Sequence, residues 1–230
     1  MTRQLAFDLP VATALTRADF FGSPANAAGL LAVDQPDLWP GGRMLLVGPA
    51  GSGKTHLGHI WAKAVGAEVV TVAGLDGALT GAATALVVDD AHLVAGVAEA
   101  ALFHLYNRLG DGHRLLLTAP VPPRDWGLHL PDLLSRMQAV AITRLEAPDD
   151  ALLSAVLVKL FTDRQISIGL NLIAYLIPRM ERSIHAARSL VAALDARALA
   201  AGRPVTRALA GEVLAGEVLA GEVLDSPPRE

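Results

Sequence analysis

Short apolar runs alternate with longer stretches of helical period through the first two thirds of the chain, and beyond residue 148 only the helical period continues. Residues 44–47, 68–72, 85–88, 115–118 and 139–142 read as strands, each rich in Val, Leu, Ile or Ala and of strand length. Helices are expected over 54–65 and 97–109 and in a short piece around 133–136, with turns at Gly110-Asp111-Gly112 and at Pro120, Pro122 and Pro123. Strands separated by helices must pair in parallel, so this part predicts a central parallel five-stranded sheet flanked by helices. From Asp149 onward, residues 152–161, 170–180, 184–201 and 206–224 all read as helices. The expected organisation is a flexible N-terminal segment (1–18), an α/β domain (19–148) and a small all-helical domain (149–230).

The last predicted helix holds Ala-Gly-Glu-Val-Leu three times, at 210–214, 215–219 and 220–224. A five-residue step turns a helix by roughly 500°, or about 140° net, so the Val-Leu pairs cannot all face one core, and each copy adds a helix-weakening glycine. The later copies are expected to fray. A duplication without a packing role accounts for them better than a partner-binding tail does.

The apolar strand 44–47 runs directly into Gly48-Pro49-Ala50-Gly51-Ser52-Gly53-Lys54-Thr55, which opens a helix. This is the spacing of a P-loop, and each residue has a physical task. The glycines let backbone N–H groups turn toward a β-phosphate, the helix N-terminus adds positive dipole, Lys54 reaches the β/γ-phosphates and Thr55 offers a hydroxyl to Mg²⁺. A chance glycine-rich turn would lack the strand before it and the helix after it. The strand 85–88 ends in Asp89-Asp90, which looks like a Walker B element: Asp89 as a Mg²⁺ ligand, Asp90 as the carboxylate that orients an attacking water. The cofactors expected are ADP or ATP with Mg²⁺.

Composition narrows the setting. The 230 residues carry a net charge of −4, a pI near 6.0 and no cysteine, which excludes a disulfide framework and a thiolate zinc site and argues against a broad DNA-binding surface. The mean hydropathy of +0.41 comes from Ala, Leu and Val spread along the chain, and no stretch reaches the length of a membrane span. Asp8, Pro10, Arg17 and Asp19 interrupt any signal-peptide core, so a cytoplasmic location is expected, with no membrane partner. His56 and His59 stand three apart on a helix but have no third ligand in view, and zinc is not expected there. Trp39, Trp61 and Trp126 are too scattered for a base-stacking platform and are assigned to packing.

The run Gly53-Lys54-Thr55-His56-Leu57-Gly58-His59 and the Asp89-Asp90 strand resemble the AAA+ module of the DnaA family of replication initiators. Phe20-Phe21-Gly22-Ser23-Pro24-Ala25-Asn26 is similar to the segment that opens that module beside the adenine. Leu117-Thr118-Ala119-Pro120 resembles its sensor I strand end, and Leu133-Leu134-Ser135-Arg136-Met137 its Ser-Arg-Phe box. The resemblance covers roughly residues 19–215. It implies an AAA+ P-loop fold, nucleotide contacts from residues 48–56 and Thr118, and a sensor II contact from the lid.

Members of that family continue into a helix-turn-helix domain, whereas the sequence here ends in the pentapeptide copies, so no direct sequence-specific DNA binding is expected. What remains resembles the Hda group of DnaA-related regulators, which bind the DNA polymerase III sliding clamp and trigger hydrolysis of ATP held by DnaA. Gln4-Leu5-Ala6-Phe7-Asp8-Leu9 resembles the clamp-binding peptide, with Gln4, Leu5, Phe7 and Leu9 as its contacts. The resemblance implies a regulator that prevents over-initiation, with ADP as working ligand and Arg136 as an arginine finger acting in trans. An ion pair within the domain is the other role open to Arg136. Self-association as a homodimer or higher oligomer stays open.

Two departures bear on the chain's own catalysis. The sensor II position aligns with His185 rather than arginine, with Arg182 and Arg188 on adjacent turns, and Asp90 is one methylene shorter than the usual glutamate. Weak intrinsic ATPase activity is expected. A DnaC-type helicase loader would use the same core but needs a longer N-terminal extension, and an independent P-loop kinase needs an acceptor pocket and lid arginines soon after the loop.

Overall fold

The computed structural model describes residues 16–110 and 112–224, with residue 170 and residues 216–224 described as backbone alone. The expected clamp contacts Gln4, Leu5, Phe7 and Leu9 lie outside the described residues. Five parallel strands form one sheet: β1 (Arg43–Val47), β2 (Glu68–Val70), β3 (Ala85–Val88), β4 (Arg114–Ala119) and β5 (Ala141–Arg144), in the spatial order β2-β3-β4-β1-β5. Nine α-helices are described: α1 (Ala27–Asp34), α2 (Lys54–Val65), α3 (Leu75–Thr80), α4 (Glu99–Arg108), α5 (Pro131–Ala139), α6 (Asp150–Asp163), α7 (Leu170–Leu176), α8 (Ile184–Ala201) and α9 (Arg207–Leu224).

Successive side chains of a strand point to opposite faces, and here both faces are covered. Leu45, Val47, Leu86, Val88, Leu115 and Leu117 pack on one side with Leu75, Leu102, Leu105, Leu133 and Met137 from α3, α4 and α5. Met44, Leu46, Val87 and Leu116 pack on the other with Val33, Leu57, Ile60 and Trp61 from α1 and α2. This explains why the strands read as unbroken apolar runs. Trp39 and Trp61 belong to the second cluster, their rings 4.9 Å apart, and Trp126 belongs to the first. A third cluster lies wholly among the later helices, with Leu153, Leu157 and Phe161 of α6 against Leu176, Ala187, Leu190, Val191 and Leu194.

Several boundaries differ from the sequence reading. The strand expected over 68–72 stops at Val70, because Val72–Gly74 forms a short 3-10 turn into α3, a helix that the sequence did not announce. The strand expected over 139–142 starts at Ala141, since α5 continues through Ala139 and Val140 is the connector. The helix expected over 170–180 ends at Leu176 and tightens to a 3-10 turn at Ile177–Arg179, where Pro178 cannot supply the next backbone donor. Helix α9 runs through all three pentapeptide copies. Backbone hydrogen bonding does not depend on the five-residue step, which governs only the face each copy presents, and Leu209 and Ala210 are fully buried at its start. No described helix is long and apolar enough to cross a membrane.

Glu99, the first residue of α4, ties two helices together. Its carboxylate, 10% exposed, accepts hydrogen bonds from the backbone N–H groups of Gly96, His129 and Leu130 and from the His129 ring, just before α5 begins. Burial raises its pKa, but the N–H donors outweigh that and hold it at about 2.

Two stability predictions follow from this packing. Leu157→Ala should cost about 2–5 kcal/mol in denaturant unfolding, by the cavity left at a fully buried site. Glu99 has a folded pKa below its unfolded value, so its contribution is complete above pH ~4.5 and is lost as pH falls toward 2. Acid unfolding of Glu99→Gln should therefore be shallower than that of the parent over this window, read by circular dichroism.

Candidate functional site

Because β4 lies between β1 and β3, the carboxyl end of one strand separates the glycine loop after β1 from the Asp89-Asp90 turn after β3. The register pairs Thr118 with Leu46 and the next residue, Ala119, with Val47, and Gly48 N–H continues this ladder to the Ala119 carbonyl at 3.3 Å. The loop is therefore held at the carboxyl ends of the strands, where ligands of open α/β sheets bind.

Residues 48–53 curl into a cradle that excludes side chains. Gly51 and Gly53 have φ of +70° and +98°, a region that only glycine enters freely. A Cβ on Gly48 would lie 2.5 Å from the Leu145 carbonyl oxygen, and one on Gly51 would lie 2.5 Å from the Ser183 Cβ. Ser52 is buried, with its hydroxyl unpartnered among the described residues. Gly53 caps α2, whose first residue is Lys54. The Lys54 ammonium is 7% exposed and donates to the carbonyls of Gly48 and Pro49, both at 2.8 Å, which leaves one N–H free. Burial lowers its pKa, while Asp90 and Asp89 pull it back up.

Thr55 follows on the same turn and donates its hydroxyl to the Asp89 carboxylate at 3.0 Å. Thr118, fully buried, donates to Asp89 Oδ1 at 2.6 Å and accepts the Asp90 N–H at 2.9 Å. One hydroxyl thus fixes both acidic residues. The Asp90 backbone is left-handed, φ +51°, which is uncommon for a side-chain-bearing residue, and its carboxylate is 54% exposed, 4.0 Å from the His92 ring. The structure therefore brings Lys54, Thr55, Asp89, Asp90 and Thr118 together. The Thr55 hydroxyl and the Asp89 carboxylate are hard oxygen donors side by side, the set that suits Mg²⁺ when phosphate oxygens complete it.

A cavity of about 540 Å³ adjoins this centre. Phe20, Phe21 and Asn26 form one wall, Leu152 and Val156 of α6 another, and Ile184, His185 and Arg188 of α8 a third, with His56 beside them. Asn26 organises the first wall by accepting the Ser23 N–H and donating to the Phe21 carbonyl. His56 Nε2 faces the Thr16 carbonyl at 3.0 Å, which can only accept, so Nε2 carries the proton. Burial lowers the His56 pKa, so its ring is neutral at pH 7. His185 is exposed on the cavity's rim. Arg182, the preceding alternative, is committed elsewhere, to Asp150 at 2.7 Å and the Pro148 carbonyl.

Contacts the sequence did not reveal close this cavity. Lys159 of α6 bonds both Asp163 and Asp19, at 2.8 and 3.1 Å, and the Ile184 N–H donates to the Gly51 carbonyl at 3.1 Å. The sequence offered only the i,i+4 spacing of Lys159 and Asp163. Arg136 lies apart from the loop on α5, half-buried, its guanidinium 4.9 Å from the Phe103 ring and 5.5 Å from the Tyr106 ring. It has no carboxylate partner among the described residues.

Thr118→Val keeps the side-chain shape but leaves the Asp90 N–H and Asp89 Oδ1 without their partner. It should cost about 1–3 kcal/mol in equilibrium unfolding, far more than Thr80→Ala on the exposed end of α3.

No protein-family model matches the chain. Among solved structures, domain III of the replication initiation protein DnaA from Thermotoga maritima superposes with a TM-score of 0.76 at 19% identity, covering 90% of this chain and 98% of that one. DnaA from Aquifex aeolicus bound to AMPPCP gives a TM-score of 0.62 at 17% identity, over 76% of this chain and 63% of that one. A RuvB variant from Thermotoga maritima gives 0.65 at 18% identity, over 85% and 69%. The chain thus spans about 63% of the length of the Aquifex DnaA structure. These likenesses, with the sheet and its glycine loop, establish the fold: this is an AAA+ P-loop fold, a five-stranded parallel sheet flanked by helices, of the kind seen in domain III of DnaA.

Proposed function

We propose that this chain is a nucleotide-bound regulator of chromosomal replication initiation. It docks on the DNA polymerase sliding clamp through Gln4, Leu5, Phe7 and Leu9 and stimulates hydrolysis of ATP held by DnaA, with residues 149–230 serving as the lid over its own nucleotide. The observation that carries the reading is Arg136. Its guanidinium rests half-buried on two aromatic rings with no carboxylate partner among the described residues, in a fold that matches DnaA domain III over nearly that domain's full length. Resting on rings holds a cation in place without neutralising it.

The chemistry divides between two sites. In the chain's own site the loop N–H groups and Lys54 hold the β-phosphate, Thr55 and Asp89 hold Mg²⁺, and Phe20 with the α6 and α8 walls encloses the base. Bound Mg²⁺ supplies positive charge to the phosphate oxygens. Turnover there is weak, because Asp90 is short and half-exposed and a histidine, His185, stands in the sensor position in place of arginine. The productive step takes place on DnaA: water attacks the γ-phosphorus in line, the bond to the bridging oxygen breaks, and ADP and phosphate leave. Arg136 crosses the subunit boundary and stabilises the charge that spreads over the γ-oxygens. Docking on the clamp raises the local concentration of the two AAA+ modules.

Hydrolysis of radiolabelled ATP prebound to DnaA, with DNA-loaded clamp present, tests this. Arg136→Ala should lower stimulation by about 10³-fold while nucleotide binding by this chain is unchanged. Gln4→Ala should abolish only the clamp-dependent part. Full stimulation by Arg136→Ala would remove the finger, and capture of the replicative helicase instead of the clamp would favour a loader.

A further inference from the structure

The cavity beside the glycine loop has three cationic side chains in its walls: Lys159, Arg164 and Arg188. Two are spent. Lys159 bonds Asp19 and Asp163, and Arg164 donates to the Leu160 carbonyl and stands 3.6 Å from Asp195. Arg188 has no hydrogen-bond or ion-pair partner among the described residues, although it is partly buried and burial lowers its pKa. A guanidinium drawn partly out of water without a partner is a cost that an anionic ligand would relieve.

The position of Arg188 identifies which part of the ligand. Helix α8 starts at the loop, where the Ile184 N–H meets the Gly51 carbonyl, and at 1.5 Å per residue Arg188 stands about 6 Å further along the axis. Its charge acts on His56, two residues beyond Lys54, whereas Lys54 responds to Asp89 and Asp90. Lys54, Asp89, Asp90 and Thr118 are not among the cavity's lining. The cleft therefore has an acidic end built for the terminal phosphate and its cation, and a separate end of apolar walls, a neutral imidazole and one unpaired guanidinium.

We propose that Arg188 binds the phosphate joined to the ribose, a group common to nucleoside di- and triphosphates. This rests on the nucleotide reading above and deepens it: the lid holds ADP and ATP alike. Closure of the lid is then set by the nucleoside monophosphate part, and loss of the terminal phosphate does not release it. A di- or triphosphate bound here keeps the same grip from α8.

Calorimetric titration of the full chain with ADP and with ATP, each with Mg²⁺, tests the assignment. Arg188→Ala should weaken both by the same factor, about tenfold to a hundredfold, and Arg188→Lys should recover part of the loss by restoring a point charge. The ligand-free melting temperature of Arg188→Ala should equal or exceed that of the parent, because an unpaired cation has been removed. A loss confined to ATP would move the contact to the terminal phosphate and overturn the proposal, as would unchanged affinity for both. If the parent chain binds neither nucleotide, the nucleotide reading itself fails, and the two failures are distinct.

Discussion

The Ile184 N–H donates to the Gly51 carbonyl at a point where the loop has no room for a side chain, and this bond ties the start of α8 to the glycine loop. The glycine sits in a left-handed conformation with Ser183 pressed on the space a Cβ would fill. Ser183 in turn caps α8 by accepting the Ala186 N–H, so helix, cap and loop are fixed together. His185 and Arg188 follow within two turns of that junction, and Ala187, Leu190, Val191 and Leu194 anchor the same helix in the core formed with α6 and α7.

The charges around the cleft are arranged unequally. Asp89 is fully engaged by Thr55 and Thr118, and Asp19 and Asp163 share Lys159, so the acidic groups are set before any ligand arrives. Lys54, Arg188 and Arg136 are the contrast: a buried ammonium held only by carbonyls, an unpaired guanidinium at the cavity and another resting on aromatic rings. Fixing donors and cations in advance lowers the reorganisation needed when a phosphate binds.

Glu99 and Lys159 do comparable work at a distance from the loop. Glu99 joins the start of α4 to the segment just before α5, the helix that carries Arg136. Lys159 ties α6 to the Arg17–Asp19 turn, which brings Phe20 and Phe21 to the cavity wall. Both bonds span elements far apart in the chain.

Sequence alone determined the alternation of strands and helices, the glycine loop and the acidic strand end, because these depend on local chemistry: apolar runs buried on both faces, backbone that must bend where only glycine can, carboxylates at the end of a buried strand. It also placed α2 and α8 at their observed bounds. It missed α3 and misplaced β2 and β5 by two residues or so, where short elements end on weak signals such as Val72 and Val140. Tertiary structure alone decided the strand order that sets Thr118 between Asp89 and the loop. It also decided that Arg188 and His185 face the cavity while Arg182 is tied to Asp150. Three basic side chains within seven residues look equivalent in sequence, and only the start of α8 at Ser183, its packing against Gly51 and the capture of Arg182 by Asp150 separate them.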